Sequence, residues 1–396
     1  MKMYKSLLML PLVLLFSCSN DDDTSEYQEI VDPYASINET FGANINAEAL
    51  ANYANQVVPA YITKDNSGGN IITDKGATLG RVLFYDKNLS SDNTISCSSC
   101  HMQEHAFGDL AISSTGVNGT TGRHSMRLIN TRFADETQFF WDERAVTLEA
   151  QTTMPIRDHG EMGFSGENGD LNFDDLIVKL SDIGYYQELF TLVYGTDEIT
   201  ENKMQLALAQ FIRSIQSFDS KYDVGRAATG ADQPNFANFT TQENQGKNLF
   251  LAPPAFNQGG VRVAGGVGCA GCHRIPEFDI DPDSRNNGVI GVLGGGGIDV
   301  ENTRAPSLRD LVKADGTLNG PLMHTGSFAT VEAAINHYDV INTGNNNNLD
   351  PRLRPGGNGQ QLNMSQQEIA ALTAFLRTLT GSNVYTDEKW SDPFLN

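Results

Sequence analysis

Apolar residues recur at helical spacing in two long segments of this chain and alternate at strand spacing in none. In the first segment, Glu201–Phe218, one face carries Met204, Leu208, Phe211, Ile212 and Ile215. This is the spacing of an amphipathic helix whose stripe packs into a core. The second segment begins at a capping box, Ser365-x-x-Glu368, and runs through Leu379 to a stop before Gly381. The pattern predicts a mainly α-helical fold with long loops and at most short hairpins.

The length of the chain allows more than one domain, because 396 residues are enough for two domains that each bury a core. A polar, Asn-rich link near Gly230–Asn238 is the predicted boundary. The glycine-rich pieces Gly259–Gly268 and Gly294–Gly297 follow no predicted strand-to-helix transition, so they are interpreted as loops. We expect a leader over residues 1–17, an acidic tether with an N-terminal extension over 18–70, and two domains over 71–235 and 236–396. The two domains share no internal repeat beyond the motifs described below.

The first residues have the pattern of an export signal, with Lys2 and Lys5 before the apolar run Leu7–Phe16. That run is too short to span a bilayer. Leu15-Phe16-Ser17-Cys18 resembles the lipobox of bacterial lipoproteins, whose cysteine is lipidated; an ordinary leader with a chance cysteine is the alternative. The acidic residues that follow Cys18 predict a solvated tether. We therefore expect an exported outer-membrane lipoprotein, facing the periplasm or the cell surface, that touches the membrane only through its lipid anchor.

The charge balance excludes one class of partner. The chain has 27 basic and 49 acidic side chains, a net charge of −22. Loss of Lys2 and Lys5 with the leader would make this −24. Because nucleic acid attracts basic surfaces, a nucleic-acid partner is not expected.

Two pentapeptides carry the chemistry: Cys97-Ser-Ser-Cys100-His101 and Cys269-Ala-Gly-Cys272-His273. Two thiols at this spacing add to the vinyl groups of one porphyrin, and the following histidine binds the iron. The fifth cysteine, Cys18, is assigned to lipid, so none remains for a disulfide. The sequence therefore predicts two covalently bound c-type haems, with His101 and His273 as proximal iron ligands.

Two other uses of these cysteines fit the sequence less well than haem attachment. A four-cysteine zinc site normally separates its CxxC pairs by about fifteen to twenty residues, far fewer than lie between Cys100 and Cys269. It also leaves both histidines unexplained. A thioredoxin-like redox pair needs only one motif and no histidine after it. What a haem site does depends on the opposite iron face, because a filled face permits only electron transfer and an open one permits peroxide to bind.

Several further segments resemble the bacterial dihaem cytochrome c peroxidase and MauG superfamily, in the right order from about Leu79 to Gly381. The resemblance implies two cytochrome-like haem domains, a peroxide-reactive N-terminal haem and an electron-transferring C-terminal one. The matching segments are Phe140-Trp141-Asp142-Glu143-Arg144-Ala145, Leu148-Glu149-Ala150-Gln151, Pro155-Ile156, Glu161-Met162-Gly163, Ala305-Pro306-Ser307-Leu308-Arg309, His324-Thr325-Gly326 and Leu376-Arg377-Thr378-Leu379-Thr380-Gly381.

The resemblance implies roles for three residues of the first domain. Trp141 matches the tryptophan that relays electrons between the two haems; a buried core tryptophan is the plainer interpretation. Gln151 and Glu161 match the distal-pocket glutamine and glutamate. A carboxylate there takes a proton from the near peroxide oxygen and returns it to the departing one. A solvated surface charge is the ordinary alternative for a glutamate, but Glu161 stands twenty residues after Trp141, as the family has it.

Two departures from the superfamily concern the iron ligands. Members that need reductive activation carry a Gly-His pair after the first motif, whereas Gly116 is followed here by Val117. Valine cannot bind iron, so the first haem is expected to be open without prior reduction. His105 and His124 are the rival ligands nearby in sequence.

At the second haem, classical members of the family place a methionine fourteen residues after the histidine of the His-x-Gly element. Tyr338 stands at that distance from His324, as in MauG-like proteins. Phenolate is an anionic donor that favours the ferric state. Tyr338 is therefore the expected ligand of the C-terminal haem iron; His337, Met323 and Met364 are the alternatives.

The resemblance also implies a calcium ion between the domains, bound by the carbonyl oxygens of Asn319 and Pro321. The side-chain ligand expected from an Arg-Asn element is replaced here, because Arg123 is followed by His124. Calcium prefers oxygen to imidazole. Calcium is therefore expected on weaker grounds than haem.

Three functions follow. The first is reduction of hydrogen peroxide to water with electrons from a small donor such as cytochrome c, through the C-terminal haem and Trp141; an acidic surface suits a basic donor. The second is MauG-like oxidation of a protein substrate. The third is a non-catalytic electron-transfer cytochrome or structural lipoprotein. The sequence leaves the oligomeric state open, and a homodimer is compatible with the resemblance.

Overall fold

The computed structural model describes residues 32–395. From Tyr34 onward the described residues form one compact unit. The predicted leader, the acidic tether and the lipidated Cys18 lie outside the described residues. Among the helices of residues 32–395, none is long and apolar enough to cross a bilayer.

Most regular structure in residues 32–395 is helical, and the strands of that part of the chain form two short antiparallel pairs, which confirms the predicted fold class. The helices of the described residues are α1 (Ala35–Phe41), α2 (Asp74–Tyr85), α3 (Leu148–Thr152), α4 (Phe173–Ser181), α5 (Gly184–Tyr194), α6 (Glu201–Ser214), α7 (Lys221–Thr229), α8 (Thr241–Leu251), α9 (Val331–Asp339) and α10 (Gln366–Arg377). Strand β1 (Pro254–Phe256) pairs with β2 (Arg262–Gly265), and β3 (His273–Arg274) pairs with β4 (Asp279–Ile280).

Both predicted helices are present. The apolar stripe of α6 is buried along its whole length, but the helix ends at Ser214, four residues before the predicted Phe218, because Ile215 adopts an extended conformation. Helix α10 starts at the predicted capping box, where the Ser365 hydroxyl accepts from the Glu368 amide. It ends at Arg377, before Leu379.

A pair of closely packed helices occurs twice in the described residues, and each pair meets at a glycine. Helix α2 packs on α6 where a Cβ atom at Gly80 would lie 2.0 Å from the Ala207 carbonyl oxygen, and α8 packs on α10 where one at Gly246 would lie 1.9 Å from the Ala371 oxygen. Only glycine permits such an approach. This repeat was not predicted, although Gly-Arg-Val-Leu-Phe ending at Phe84 and Gly-Lys-Asn-Leu-Phe ending at Phe250 carry it.

The two larger hydrophobic cores of the described residues correspond to these helix pairs, and a third, small cluster contains Ile341, Leu349 and Leu353. The first contains buried residues between Ile37 and Ile215, together with Val384 and Trp390 from the end of the chain. The second contains residues between Tyr222 and Leu379. The C-terminal segment thus returns to the first core, where the Tyr85 hydroxyl donates to the Trp390 carbonyl over 2.6 Å. A domain boundary between residues 235 and 236 stays a prediction.

Candidate active site and its two haem cavities

The first CxxCH motif forms one wall of a cavity of about 520 Å³. Cys97–Ser99 is a single 3-10 turn, closed by reciprocal hydrogen bonds between Ser96 and Ser99, which brings Cys97 and Cys100 to the same cavity. The Nδ1 atom of His101 lies 3.2 Å from the Phe107 carbonyl oxygen. Such a bond keeps the proton on Nδ1 and leaves Nε2 for iron, and burial lowers the pKa of His101, which favours the neutral, ligating form.

The second motif borders a cavity of about 690 Å³. Its turn, Cys269–Gly271, follows Gly268, whose φ of +70° is readily adopted only by glycine. Strand β3 then begins at His273. Burial lowers the pKa of His273 to about 4, so the imidazole is neutral, and its buried Nδ1 has no hydrogen-bond partner.

Two buried arginines make these cavities suitable for the propionate groups of haem. Arg127 and Arg304 line both cavities, and within residues 32–395 neither has a carboxylate at ion-pair distance. Burial lowers the pKa of each to about 10, and Nε of Arg127 has no partner. A buried guanidinium without a counter-ion is costly. Haem carries two propionates, so the donor set, the paired thiols and the cavity sizes, which lie in the usual cofactor range, all fit the ring.

The three residues expected to do chemistry line the first cavity together: Trp141, Gln151 and Glu161. Gln151 lies on α3, which Thr147 caps by accepting from the Ala150 amide. Burial raises the pKa of Glu161 to about 7, with a further increase from Asp158 and an opposing effect from Arg144. A carboxyl group that titrates near neutral pH is suited to accept and return a proton.

Trp141 lines both cavities. Its indole Nε1 donates to the His124 carbonyl oxygen over 2.7 Å, and its ring centroid lies 6.1 Å from that of His324. The backbone amide of His124 in turn donates to the His324 carbonyl over 2.7 Å. These bonds hold the buried indole between the two cavities, and its role as an electron relay stays a prediction.

Val117 does not line the first cavity, whereas Thr115 and Gly116 do. The Val117 amide donates to the Glu161 carbonyl over 2.9 Å. A Cβ atom at Gly116 would lie 2.1 Å from the Gly160 carbonyl oxygen. The loop is therefore pressed against the backbone that presents Glu161.

The rival histidines are placed differently. His105 lines neither cavity. His124 lines both cavities, and its Nδ1 lies 2.9 Å from the Ala111 carbonyl oxygen. An open first haem therefore stays a prediction.

Candidate ligands of the second haem gather around Asn287. The Nδ2 atom of Asn287 lies 3.2 Å from the Tyr338 hydroxyl and 3.2 Å from the Met323 sulfur. Tyr338 is partly buried, and desolvation raises the pKa of its hydroxyl. Met364 also lines this cavity. His337 does not, and its Nε2 lies 2.9 Å from the Asn287 carbonyl oxygen.

The expected calcium ligands lie in a buried turn. The side-chain nitrogen Nδ2 of Asn319 donates to the Asp310 carbonyl and to the Tyr385 hydroxyl, while the Oδ1 atom of the same side chain is buried without a partner. Nε2 of His124 would be 3.4 Å from a Cβ atom at Gly320, between Asn319 and Pro321. Imidazole thus stands beside the carbonyl ligands, and residues 32–395 contain no cluster of three His, Cys, Asp or Glu side chains suited to a metal ion.

Sequence reasoning missed Arg127, Arg304 and Asn287, because nothing in their local spacing marks them. It also missed Phe84 and Phe250, which line the first and the second cavity. The repeated Gly-Arg/Lys-x-Leu-Phe pattern would have found that pair.

The comparisons with known proteins agree on one family. The profile described as di-haem cytochrome c peroxidase matches residues 74–231. Methylamine utilization protein MauG of Methylorubrum extorquens is 30% identical over 331 residues, which cover 78% of this chain and 79% of that protein. Cytochrome c551 peroxidase of Nitrosomonas europaea is 27% identical over 316 residues, covering 77% and 80%.

Solved structures give the same result. The crystal structure of a MauG-like protein associated with microbial copper homeostasis matches with a TM-score of 0.64 at 27% identity, covering 86% of this chain and 99% of that one. The diheme peroxidase BthA from Burkholderia thailandensis matches with a TM-score of 0.58 at 19% identity, covering 85% and 90%. The second match is a likeness of fold alone.

Proposed function

This chain belongs to the di-haem cytochrome c peroxidase and MauG family, and from that premise we infer how its own residues divide the work of a peroxidase. It is a peroxidase-type oxidoreductase with two c-type haems. We propose that hydrogen peroxide enters the cavity beside His101 and that electrons arrive through the cavity beside His273. Glu161 and Gln151 line the first cavity only, and Trp141 lines both cavities. This grouping is the observation that carries the assignment.

The haem iron supplies the site at which peroxide binds and through which electrons reach it. Glu161 moves the proton: as a carboxylate it accepts one from the near peroxide oxygen, and as an acid it returns that proton to the far oxygen. Gln151, which cannot change its charge, orients the peroxide by hydrogen bonding. Each peroxide consumes two electrons and two further protons and yields two water molecules.

Trp141 relays electrons between the cavities without losing its indole proton. The acceptor of that proton is the His124 carbonyl oxygen, which is too weak a base to remove it. Electron transfer through Trp141 therefore needs no proton transfer. Turnover of reduced cytochrome c with peroxide tests the proposed electron donor. Sustained oxidation of the cytochrome supports a small-protein donor, and an absence of oxidation contradicts it.

Oxidation of a protein substrate is the second candidate, and Tyr338 is the observation that favours it. Two of the matched relatives are MauG proteins, and Tyr338 stands at the position where MauG-like members have tyrosine. A phenolate ligand stabilises ferric iron and so keeps the second haem from storing an electron. Peroxide-dependent modification of a protein without turnover of cytochrome c would support this candidate over the first.

Replacing Tyr338 by Phe is expected to change the spectrum of the second haem and to raise its reduction potential. The phenyl ring keeps the packing but removes the anionic oxygen, which otherwise favours ferric iron. Redox-titrated absorption spectra measure both effects. Met323→Leu is the matched control, since Met323 also contacts Asn287; a spectrum altered by the methionine change and not by the tyrosine change would reassign the ligand.

We also propose calcium at the carbonyl oxygens of Asn319 and Pro321, supported by the unpartnered, buried Oδ1 of Asn319. The site lacks the further side-chain oxygen that an Arg-Asn element would supply, because His124 follows Arg123 here. His124→Asn is therefore expected to tighten calcium binding about tenfold or more, since it replaces imidazole by an oxygen donor that calcium prefers. Isothermal titration after chelation measures the affinities; equal affinity in the two proteins would contradict the assignment.

The location proposed for the protein rests on the sequence. Cys18 would carry the lipid, and the acidic residues after it would hold the folded part away from the membrane. Thioether attachment of haem to four cysteines suits an exported protein, because free thiols there are prone to oxidation.

A further inference from the structure

A buried group outside both cavities joins two tyrosines to one carboxylate. Tyr185 and Tyr186 are consecutive residues of α5, and their hydroxyls both donate to Oδ2 of Asp86 over 2.7 Å. Asp86 is 3% exposed and Tyr186 is 0% exposed. The other carboxylate oxygen of Asp86 accepts from the Asn88 amide. Within residues 32–395, Asp86 forms no ion pair, so the groups that hydrogen-bond to its carboxylate are all neutral.

This group lies beside the first haem site. Cys97, which the first haem would bond, packs against the core that contains Tyr186. Helix α2, which ends one residue before Asp86, packs against the Cys97–Ser99 turn, and Phe84 of that helix lines the first cavity. The rings of Tyr185 and Tyr186 are 4.7 Å apart. The ring centroid of Tyr185 lies 5.3 Å from that of Phe41, and neither tyrosine lines a haem cavity.

Stability alone does not call for this arrangement. An unpaired buried carboxylate costs more than an apolar side chain of similar size. The bonds from two hydroxyls offset part of that cost, but so would an ion pair. The arrangement has a chemical use, however, because a phenol becomes acidic when it loses an electron. A carboxylate already bonded to it can then take its proton without movement of either group.

We propose that Tyr185, Tyr186 and Asp86 form a further redox site, which holds an oxidising equivalent when no electron donor is present. The proposal rests on the peroxide chemistry inferred for the first haem. After peroxide has oxidised that haem, one electron passes to it from Tyr186, and the hydroxyl proton moves to Oδ2 of Asp86. The products are a neutral tyrosyl radical and a protonated carboxyl. An electron from the donor, with return of the same proton, restores both groups.

The site differs from Trp141 in the acceptor of its proton. Trp141 donates to a carbonyl oxygen and keeps its proton, so it passes charge on in either direction. The two tyrosines donate to a carboxylate, which captures the proton and holds the radical in place. Because one oxygen of Asp86 accepts from both hydroxyls, it can take only one proton, and the pair stores one equivalent at a time.

Freeze-quench electron paramagnetic resonance of the dihaem protein, mixed with peroxide in the absence of a donor, tests the proposal. We expect a free-radical signal that narrows when the protein is made with ring-deuterated tyrosine. The signal should be lost in the double variant Tyr185→Phe, Tyr186→Phe. It should remain in Tyr194→Phe, the matched control: Tyr194 ends the same helix, but its hydroxyl donates to the Lys203 carbonyl over 2.7 Å.

Asp86→Asn separates the proton acceptor from the rings. We expect its radical signal to form more slowly and decay faster, because an amide cannot hold the proton. Deuteration of the unaltered protein needs no variant and therefore tests the proposal even if a variant fails to fold. A first haem that reacts with peroxide without a tyrosine signal would overturn this proposal alone. A first haem that does not react with peroxide would overturn the proposed function as well.

Discussion

Glu161→Gln is expected to slow the reaction of the first haem with peroxide by about 10²- to 10⁴-fold, the usual contribution of one positioned acid-base group. Glutamine has the same shape and retains hydrogen bonding, but it cannot accept the peroxide proton. Stopped-flow absorbance at several peroxide concentrations measures the second-order rate constant. A variant that reacts as fast as the unaltered protein would remove Glu161 from the mechanism.

The pH dependence gives an internal check on the same residue. Burial raises the pKa of Glu161 to about 7. Below that pH the carboxyl is protonated and cannot act as a base, so the rate constant should rise as pH passes upward through about 7. The inflection should be absent from Glu161→Gln. Glu143→Gln is the matched control, because Glu143 follows Trp141 closely but bonds Thr303 rather than lining the cavity.

Trp141→Phe is expected to remove most turnover with a reduced donor while the peroxide reaction of the first haem stays within about a factor of two. Phenylalanine preserves a ring between the cavities, but it is far harder to oxidise and has no indole hydrogen for the His124 carbonyl. Single-turnover absorbance of each haem, after peroxide and then donor, separates the two steps. The effect should lie in the electron-transfer step alone.

The chain supplies its own control for this substitution. Trp390 is the second of the two tryptophans; it is buried in the first core and lines neither cavity. Trp390→Phe should leave both steps unchanged after any loss of stability is accounted for. Equal losses of turnover in the two variants would show that the effect is one of folding and not of relay.

Local sequence patterns identified the attachment motifs, the stripe of α6 and the Ser365 cap, because each depends on residues within one or two turns. The grouping of Gln151 and Glu161 came from the family resemblance and its spacing, since no local rule brings them together. The early end of α6 at Ser214 was wrongly predicted because the apolar period continues to Ile215 after the backbone has left the helix.

Long-range packing accounts for what sequence reasoning missed. Arg127 and Arg304 can be identified as candidate haem-binding residues only from the folded structure. Only there is it visible that both line the two cavities without a carboxylate at ion-pair distance. The return of Trp390 to the first core and the meeting of Tyr185 and Tyr186 with Asp86 join positions about a hundred residues apart or more. The glycine contacts at Gly80 and Gly246 were accessible in principle, through the five-residue pattern that each begins.

The most direct test of the account is electron paramagnetic resonance of the fully oxidised protein, before and after one equivalent of peroxide and without prior reduction. An open first haem, as Val117 implies, predicts a high-spin ferric component that is lost when peroxide is added. A spectrum of two low-spin haems that peroxide leaves unchanged would contradict the central claim.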